Sequence, residues 1–351
     1  MPRVVGIDAG TVSLDICGLT DGRLSLDLSR PTPDVIADPD GFIAGLSAGG
    51  RPDLVVAPSG YGVPLRSASD ADDADLRLAF LAARGERGGI GGLRRLVRRL
   101  AASGLPVVLT PGVMHLDTVP AHRKINRVDL GTADKVGATA LAIEDHRQRT
   151  GRPMEEISLI LLELGGAFTA AVAVDRGQIV DGLGGTSGPM GWRAAGALDG
   201  EVAFLAGTVN KALLFRGGAE SVARWSPQGR ALAVAAYIDG AVKAVAQLRT
   251  SAPRAEEVLV SGRVADDGAL LERLQAALAG VVAVRRLEGF ARVAKQGAQG
   301  AALLADGLAG GRHEALVKRL RIREARGTVL DHLHVITPAT ARRRLGIEPH
   351  G

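Results

Sequence analysis

One pattern constrains this chain more than any other: an apolar strand runs into an acidic residue and a glycine turn, then continues as another strand, and this happens twice. The first copy is Val4-Val5-Gly6-Ile7-Asp8-Ala9-Gly10-Thr11, followed by a strand pattern over residues 14–19, a turn at Thr20-Asp21-Gly22 and a third strand over 23–28. The second copy enters through residues 156–162 into Glu163-Leu164-Gly165-Gly166-Ala167-Phe168-Thr169. It continues with strands over 170–174 and 178–180 around the turn Asp175-Arg176-Gly177. A glycine turn of this kind lets backbone N–H groups converge on an anion, and Thr11 or Thr169 adds a hydroxyl donor. A carboxylate at the strand end, Asp8 or Glu163, is the kind of ligand that orients hydrated magnesium beside a phosphate. Taken singly, each motif also reads as an ordinary hairpin with an acidic strand end. The repetition over a domain-sized period favours two phosphate-binding turns facing each other in a duplicated fold.

The remainder of each half agrees with duplication. The first half shows a helix pattern over residues 40–46, a strand at 54–57, helical segments between 72 and 102, a strand at 107–109 and a helix over 132–149. The second shows helices over 201–214 and 229–249, a strand at 258–260, a helix over 267–278, a strand at 281–284 and a helix over 291–308. Each half is therefore expected to hold a mixed sheet with alternating helices, an α/β layout.

With Val258-Leu259-Val260-Ser261-Gly262-Arg263 added, the two acidic turns resemble the two phosphate motifs and the adenosine motif of the acetate and sugar kinase, heat-shock ATPase and actin superfamily. The resemblance covers roughly residues 1–310 and implies two duplicated ribonuclease-H-like domains, the actin-like ATPase fold, with an interdomain nucleotide cleft. It implies ATP and Mg2+ as cofactors, with Gly10, Thr11, Gly165, Gly166 and Thr169 on the phosphates. Ser261, Gly262 and Arg263 would lie against the adenosine, and Asp8 and Glu163 on the metal. Residues 158–191 and the preceding Ala133-Asp134-Lys135 are most similar to butyrate and acetate kinases, which points to an uncharacterised butyrate-kinase-like family of unknown function. Two positions depart from that pattern. Glu163 stands where those kinases carry a histidine that neutralises the transferring phosphoryl group, and Arg263 stands where a second glycine is commonest.

Phosphoryl transfer asks for positioning and charge neutralisation around a loose transition state. The donor-rich segment Ala121-His122-Arg123-Lys124-Ile125-Asn126-Arg127-Val128-Asp129 supplies candidates: Arg123 or Arg127 to clamp a carboxylate, and Lys124 as a point charge on phosphate. Asp129 and Asp134 are the base candidates if the acceptor is a hydroxyl, whereas an ionised carboxylate acceptor needs none. The same charges also suit a solvated loop and a helix start capped by Thr132. The glycine-rich run Asp181-Gly182-Leu183-Gly184-Gly185-Thr186-Ser187-Gly188-Pro189-Met190-Gly191-Trp192-Arg193 suggests backbone wrapped around a ligand or a mobile lid, with Trp192 walling a small acceptor pocket. A flexible surface connection with a core tryptophan satisfies the same run.

At 351 residues and 46% hydrophobic content, two domains with ordinary cores are expected. The expected divisions are 1–150, 151–311 and a basic extension, 312–351. Aromatic residues make up only 3%, so the cores must be aliphatic, and the single cysteine, Cys17, excludes an intramolecular disulfide. That extension holds nine Lys/Arg against four Asp/Glu and so accounts for the whole net charge of +5. It lacks an aromatic platform for nucleic acid, and its helix pattern over 313–326 is expected to pack on the body or on a partner subunit in a homodimer. The Arg94, Arg95, Arg98 and Arg99 patch reads as one charged helix face. No Cys/His metal spacing, serine nucleophile motif or uninterrupted apolar span of about 18 residues occurs, so a cytoplasmic protein without membrane or nucleic-acid partners is expected. The expected activity is ATP-dependent phosphorylation of a small carboxylic acid. The alternatives are a sugar or other hydroxyl kinase and a non-catalytic ATP-switched interaction protein.

Overall fold

The computed structural model describes residues 2–10, 12–83 and 90–347. In chain order it opens with the meander β1 (Arg3–Ala9), β2 (Ser13–Thr20) and β3 (Arg23–Pro31), then α1 (Thr32–Ala37), α2 (Pro39–Leu46), β4 (Leu54–Val56), β5 (Arg66–Ser67), α3 (Asp73–Phe80), α4 (Ile90–Ala102) and β6 (Val107–Leu109). The short α5 (Ala121–Lys124) precedes α6 (Ala133–Thr150). A second meander, β7 (Leu159–Leu164), β8 (Thr169–Asp175) and β9 (Gln178–Leu183), leads through α7 (Gly200–Ala206), α8 (Lys211–Leu214) and α9 (Ala219–Trp225) to the long α10 (Gly229–Arg249). Then come β10 (Glu257–Ser261), α11 (Gly268–Leu278), β11 (Ala283–Arg286), α12 (Gln296–Leu308), α13 (Glu314–Arg319) and α14 (Pro338–Leu345).

Two sheets repeat one topology. The first has the order β3-β2-β1-β4-β6-β5 and the second β11-β10-β7-β8-β9, so the first five strands of one match the five of the other when the second is read backwards. In both, a three-stranded antiparallel meander continues into parallel strands through its first member: β1 pairs with β2 antiparallel and β4 parallel, and β7 pairs with β8 and β10 in the same way. Each acidic residue therefore lies on a central strand. Central strands are covered on both faces, which is why residues 159–164 and 170–174 are apolar almost without interruption.

The chain divides into two compact units that differ from the expected boundaries. One comprises residues 1–128, 132–145 and 289–351, and the other 129–131 and 146–288. The last stretch returns to the first sheet through α12, where glycine and alanine make up seven of thirteen residues. A Cβ at Gly6 would run into the α12 backbone at Ala301 and Ala302, and a Cβ at Gly300 into the backbone of Gly137 on α6. Backbones can approach this closely only where side chains are missing. The basic extension packs on the same unit: Arg312 pairs with Asp21, Arg321 pairs with Asp117, and the Arg326 N–H donates to the His115 carbonyl.

Most expected elements appear within a residue or two, with three differences that have local causes. The helix expected over 201–214 is two helices, because Gly207 takes φ +71° at the end of α7 and Asn210 caps α8 through the Leu213 N–H. The helix expected from 291 starts at 296, because the Arg292, Val293 and Ala294 N–H groups donate to the Asp27 carboxylate. The helix expected over 313–326 stops at Arg319, with Arg321 in the left-handed region. In the other unit, α10 is long and apolar enough to cross a membrane by length and composition. Its Ala233, Tyr237, Ala241 and Val245 pack with Ile160, Leu162 and Ala171 of the sheet, as a core helix does.

Candidate functional site

In the first unit, the end of β1 gathers charge. Asp8 faces Asp15 across the β1–β2 ladder, and the Gly10 N–H closes the turn on the Ser13 carbonyl at 2.9 Å. Thr32 donates its hydroxyl to the Gly10 carbonyl at 2.8 Å. A Cβ at Gly297, in the first turn of α12, would lie 2.5 Å from Asp8 Oδ2 and 3.4 Å from the Asp134 Cβ, so the two acidic residues meet around that glycine. Asp134 accepts hydrogen bonds from the Thr132 hydroxyl and the Lys135 ammonium. Burial works against its charge, yet the Lys135 charge and these hydrogen bonds outweigh it and hold the carboxyl below its ordinary range. Thr11 lies outside the described residues.

Lys295, which sequence reading overlooks, joins this turn. Its ammonium pairs with Asp15 at 2.7 Å and donates to the Ser13 hydroxyl at 2.6 Å, while that hydroxyl donates to Asp15 at 3.0 Å. A Cβ on Gly10 would sit 3.2 Å from the same nitrogen. One signal exists in the sequence: lysine is scarce here, six among 43 basic residues. Nothing in the sequence connects residue 295 with residue 15, because only the return of α12 brings them together.

The donor-rich segment behaves differently from expectation. Lys124 is buried and donates to the Leu116 carbonyl at 2.7 Å, and burial lowers its pKa despite the nearby Asp117. It therefore holds backbone in place, and no described hydrogen bond joins it to the Asp8 cluster. Arg123 is half-buried on α5 and Arg127 is exposed after it. Asp129 belongs to the other unit, where it anchors the glycine-rich run: its carboxylate accepts from the Gly131 N–H at 3.1 Å, the Thr186 N–H at 3.0 Å and the Thr186 hydroxyl at 3.1 Å. A Cβ at Gly184 would overlap that carboxylate, so the loop is wrapped around Asp129 itself.

The second hairpin brings Glu163 beside Gly165 and Gly262. Glu163 is in register with Ala170 on β8 and Ser261 on β10. Its Oε1 lies 3.5 Å from where a Cβ on Gly165 would be, and its Cγ 3.1 Å from one on Gly262. The Gly165 and Gly262 turns therefore meet across one side chain, Glu163. Gly262 has φ +90°, and a Cβ there would lie 2.6 Å from the Leu164 carbonyl oxygen. Arg263 is exposed at the start of the following 3-10 turn. Arg193, at the end of the glycine-rich run, donates from Nε to the Gly166 carbonyl at 3.0 Å and brings a cation to this turn.

Thr169 corrects the expectation that it holds phosphate. Its side chain points into the core, fully buried, and its hydroxyl donates to the Tyr237 hydroxyl at 3.3 Å. The alternation of β8 sets this direction. Burial, reinforced by Glu163, pushes Tyr237 up to about 12 against the opposing Thr169 hydrogen bond. Trp192 stacks edge-on against Tyr237 at 5.8 Å, which makes it a wall of the core beneath the turn.

The residues suit Mg·ATP on two observations. Ser261 Oγ is 1% exposed and has no hydrogen-bond partner among the described residues, an orphaned donor within the adenosine motif. Gly297 keeps the Asp8 carboxylate clear, since a Cβ there would lie 2.5 Å from Asp8 Oδ2. No described cluster of three or more His, Cys, Asp or Glu is placed to hold a metal ion.

Solved structures of the same architecture include a propionate kinase from Francisella tularensis subsp. tularensis SCHU S4 (TM-score 0.60, 12% identity, 86% of this chain and 99% of that one). An acetate kinase from Entamoeba histolytica matches with TM-score 0.55 and 12% identity over 79% of this chain and 85% of its own. The Porphyromonas gingivalis acetate kinase matches with 0.53 and 13% over 78% and 86%. These likenesses show the fold: duplicated ribonuclease-H-like units of the actin-like ATPase type. A comparison with curated proteins returns no match. A family model matches residues 6–335, and the chain belongs to that family, described as protein of unknown function DUF1464.

Proposed function

We propose that this protein is a Mg·ATP-dependent kinase that transfers the γ-phosphoryl group to a small carboxylic acid. Asp8 and Glu163 would orient the magnesium and its waters, and the Gly10 and Gly165-Gly166 turns would offer backbone N–H groups to the phosphates. Ser261, Gly262 and Arg263 would line the adenosine side. When bound, Mg·ATP supplies the transferable group and neutralises part of its charge.

The observation that carries the choice of acceptor is the state of the two base candidates. A hydroxyl acceptor must lose its proton to a base of suitable pKa, whereas a carboxylate is already ionised. Asp129 accepts three hydrogen bonds that tie down its own loop, and Asp134 is held at low pKa by Lys135 and Thr132. A carboxylate so stabilised is a poor proton acceptor. Both residues therefore suit scaffolding, and an acceptor that needs no base suits the remaining machinery. Glu163 favours a second reading, an ATP-hydrolysing or ATP-switched protein, since a carboxylate on the second hairpin repels an anionic acceptor unless metal intervenes.

Phosphorus NMR of the protein with Mg·ATP, alone and with pooled short-chain carboxylates or pooled sugars, tests the proposal. An acyl phosphate signal is expected. A phosphate ester would move the assignment to a hydroxyl kinase, and inorganic phosphate alone or unchanged ATP to the switch. Asp8→Ala should weaken Mg·ATP binding at least tenfold in a calorimetric titration, and unchanged affinity would remove Asp8 from the nucleotide site.

A further inference from the structure

Resting on the nucleotide reading above, we infer that Lys295 is the cation that binds the polyphosphate chain at the first hairpin. It replaces Lys124 in that role and arrives from the far end of the sequence. Three observations carry this. Lys295 Nζ lies at the glycine turn itself, 3.2 Å from where a Gly10 Cβ would be, whereas Lys124 is buried on a backbone carbonyl and Lys135 is tied to Asp134. An ammonium has three donors, and among the described residues Lys295 uses two, on Ser13 and Asp15. The Lys295 side chain is 32% exposed while that of Asp15 is 2% exposed, so the buried carboxylate holds the cation from below and leaves a face open.

The position is also fixed in advance. The Asp27 carboxylate accepts the Arg292 N–H at 2.8 Å, the Val293 N–H at 3.1 Å and the Ala294 N–H at 2.7 Å, immobilising the three residues before Lys295. The buried Gln299 side chain accepts from the Phe290 N–H at 2.8 Å and the Ala291 N–H at 3.1 Å, and donates to the Ala294 carbonyl at 2.7 Å. So dense a set of bonds around an exposed loop places one ammonium with little freedom left to lose on binding an anion. A compact point charge with a free donor suits a phosphate oxygen. The ligand class is a nucleoside di- or triphosphate, because a monophosphate reaches one hairpin with less charge.

Isothermal titration of Mg·ATP and of AMP into wild type, Lys295→Met, Lys295→Arg and the double variant Asp15→Asn/Lys295→Met tests the inference. The double variant removes the buried carboxylate that Lys295→Met alone would leave uncompensated, so it reports on binding if the single variant does not fold. Expected are a 10- to 100-fold loss of ATP affinity in the methionine variants, a smaller loss in Lys295→Arg, unchanged AMP affinity, and a shallower dependence of ATP binding on salt. Unchanged ATP affinity in the folded methionine variants would overturn the Lys295 assignment and leave the kinase reading intact. So would an equal loss for ATP and AMP, the mark of a structural role alone. Failure of the wild type to bind Mg·ATP would overturn the nucleotide reading, and the Lys295 assignment with it.

Discussion

At Gly262 the backbone takes a φ of +90° with ψ 162°, a region that excludes a side chain, and it lies directly over the Leu164 carbonyl. Gly262→Ala should therefore destabilise its unit by about 1–3 kcal/mol and weaken ATP binding, read by thermal melting and calorimetric titration. His115 makes a second prediction. Burial lowers it to about 4, partly opposed by the Gly112 carbonyl, so the folded protein keeps it neutral where an unfolded chain with a pKa near 6.5 would protonate. The unfolded state then binds more protons below that value, and stability is lost as pH falls from about 6.5 to about 4 by up to about 3 kcal/mol. In denaturant titrations across that range, His115→Gln should flatten the slope; an unaltered slope would exclude His115 as its source. Asp8, Gly10, Glu163, Gly165 and Gly262 were legible as strand-end and turn positions because such positions follow from neighbours in the chain. Lys295 and Thr169 escaped because their partners, Asp15 and Tyr237, lie far away in sequence.

Among the elements, the glycine-rich run after β9 changes meaning most. Read from sequence it is a mobile lid, a ligand wrapper or a flexible surface connection, yet Asp129 holds it at Thr186, and the Ser187 hydroxyl donates back to the Asp129 carbonyl. Asp129→Ala should release it: amide exchange across residues 184–188 should accelerate by at least tenfold, with the β7 core unaffected. Protection equal to wild type would show that the loop is held by other contacts. The strands of the two meanders were legible because glycine turns bound them, whereas the two-residue β5 was not expected. The irregular helices were not, since α7, α8 and the delayed start of α12 depend on a positive-φ glycine, an asparagine cap and a distant aspartate, Asp27. Period and propensity carry no record of such partners.

For the whole molecule, duplication was readable and the division of the chain was not. The expected break near residue 311 fell inside a unit, because nothing in a Gly/Ala helix names the sheet it will cover. A chain ending at residue 288 should leave the first sheet without α12, and limited proteolysis should then degrade residues 1–128 quickly while 146–288 survives. Equal resistance of both parts would refute the assignment of α12 to the first sheet. Residues 146–288 are one continuous stretch of their unit, whereas the other unit is assembled from segments that precede and follow it in the sequence. During translation Gly6 is made long before the α12 backbone at Ala301 and Ala302 that must lie against it. Domains ordinarily complete themselves in the order they are synthesised. Here the order is reversed: the unit of residues 146–288 can finish first, and the first sheet must wait, one face uncovered, until α12 has been made.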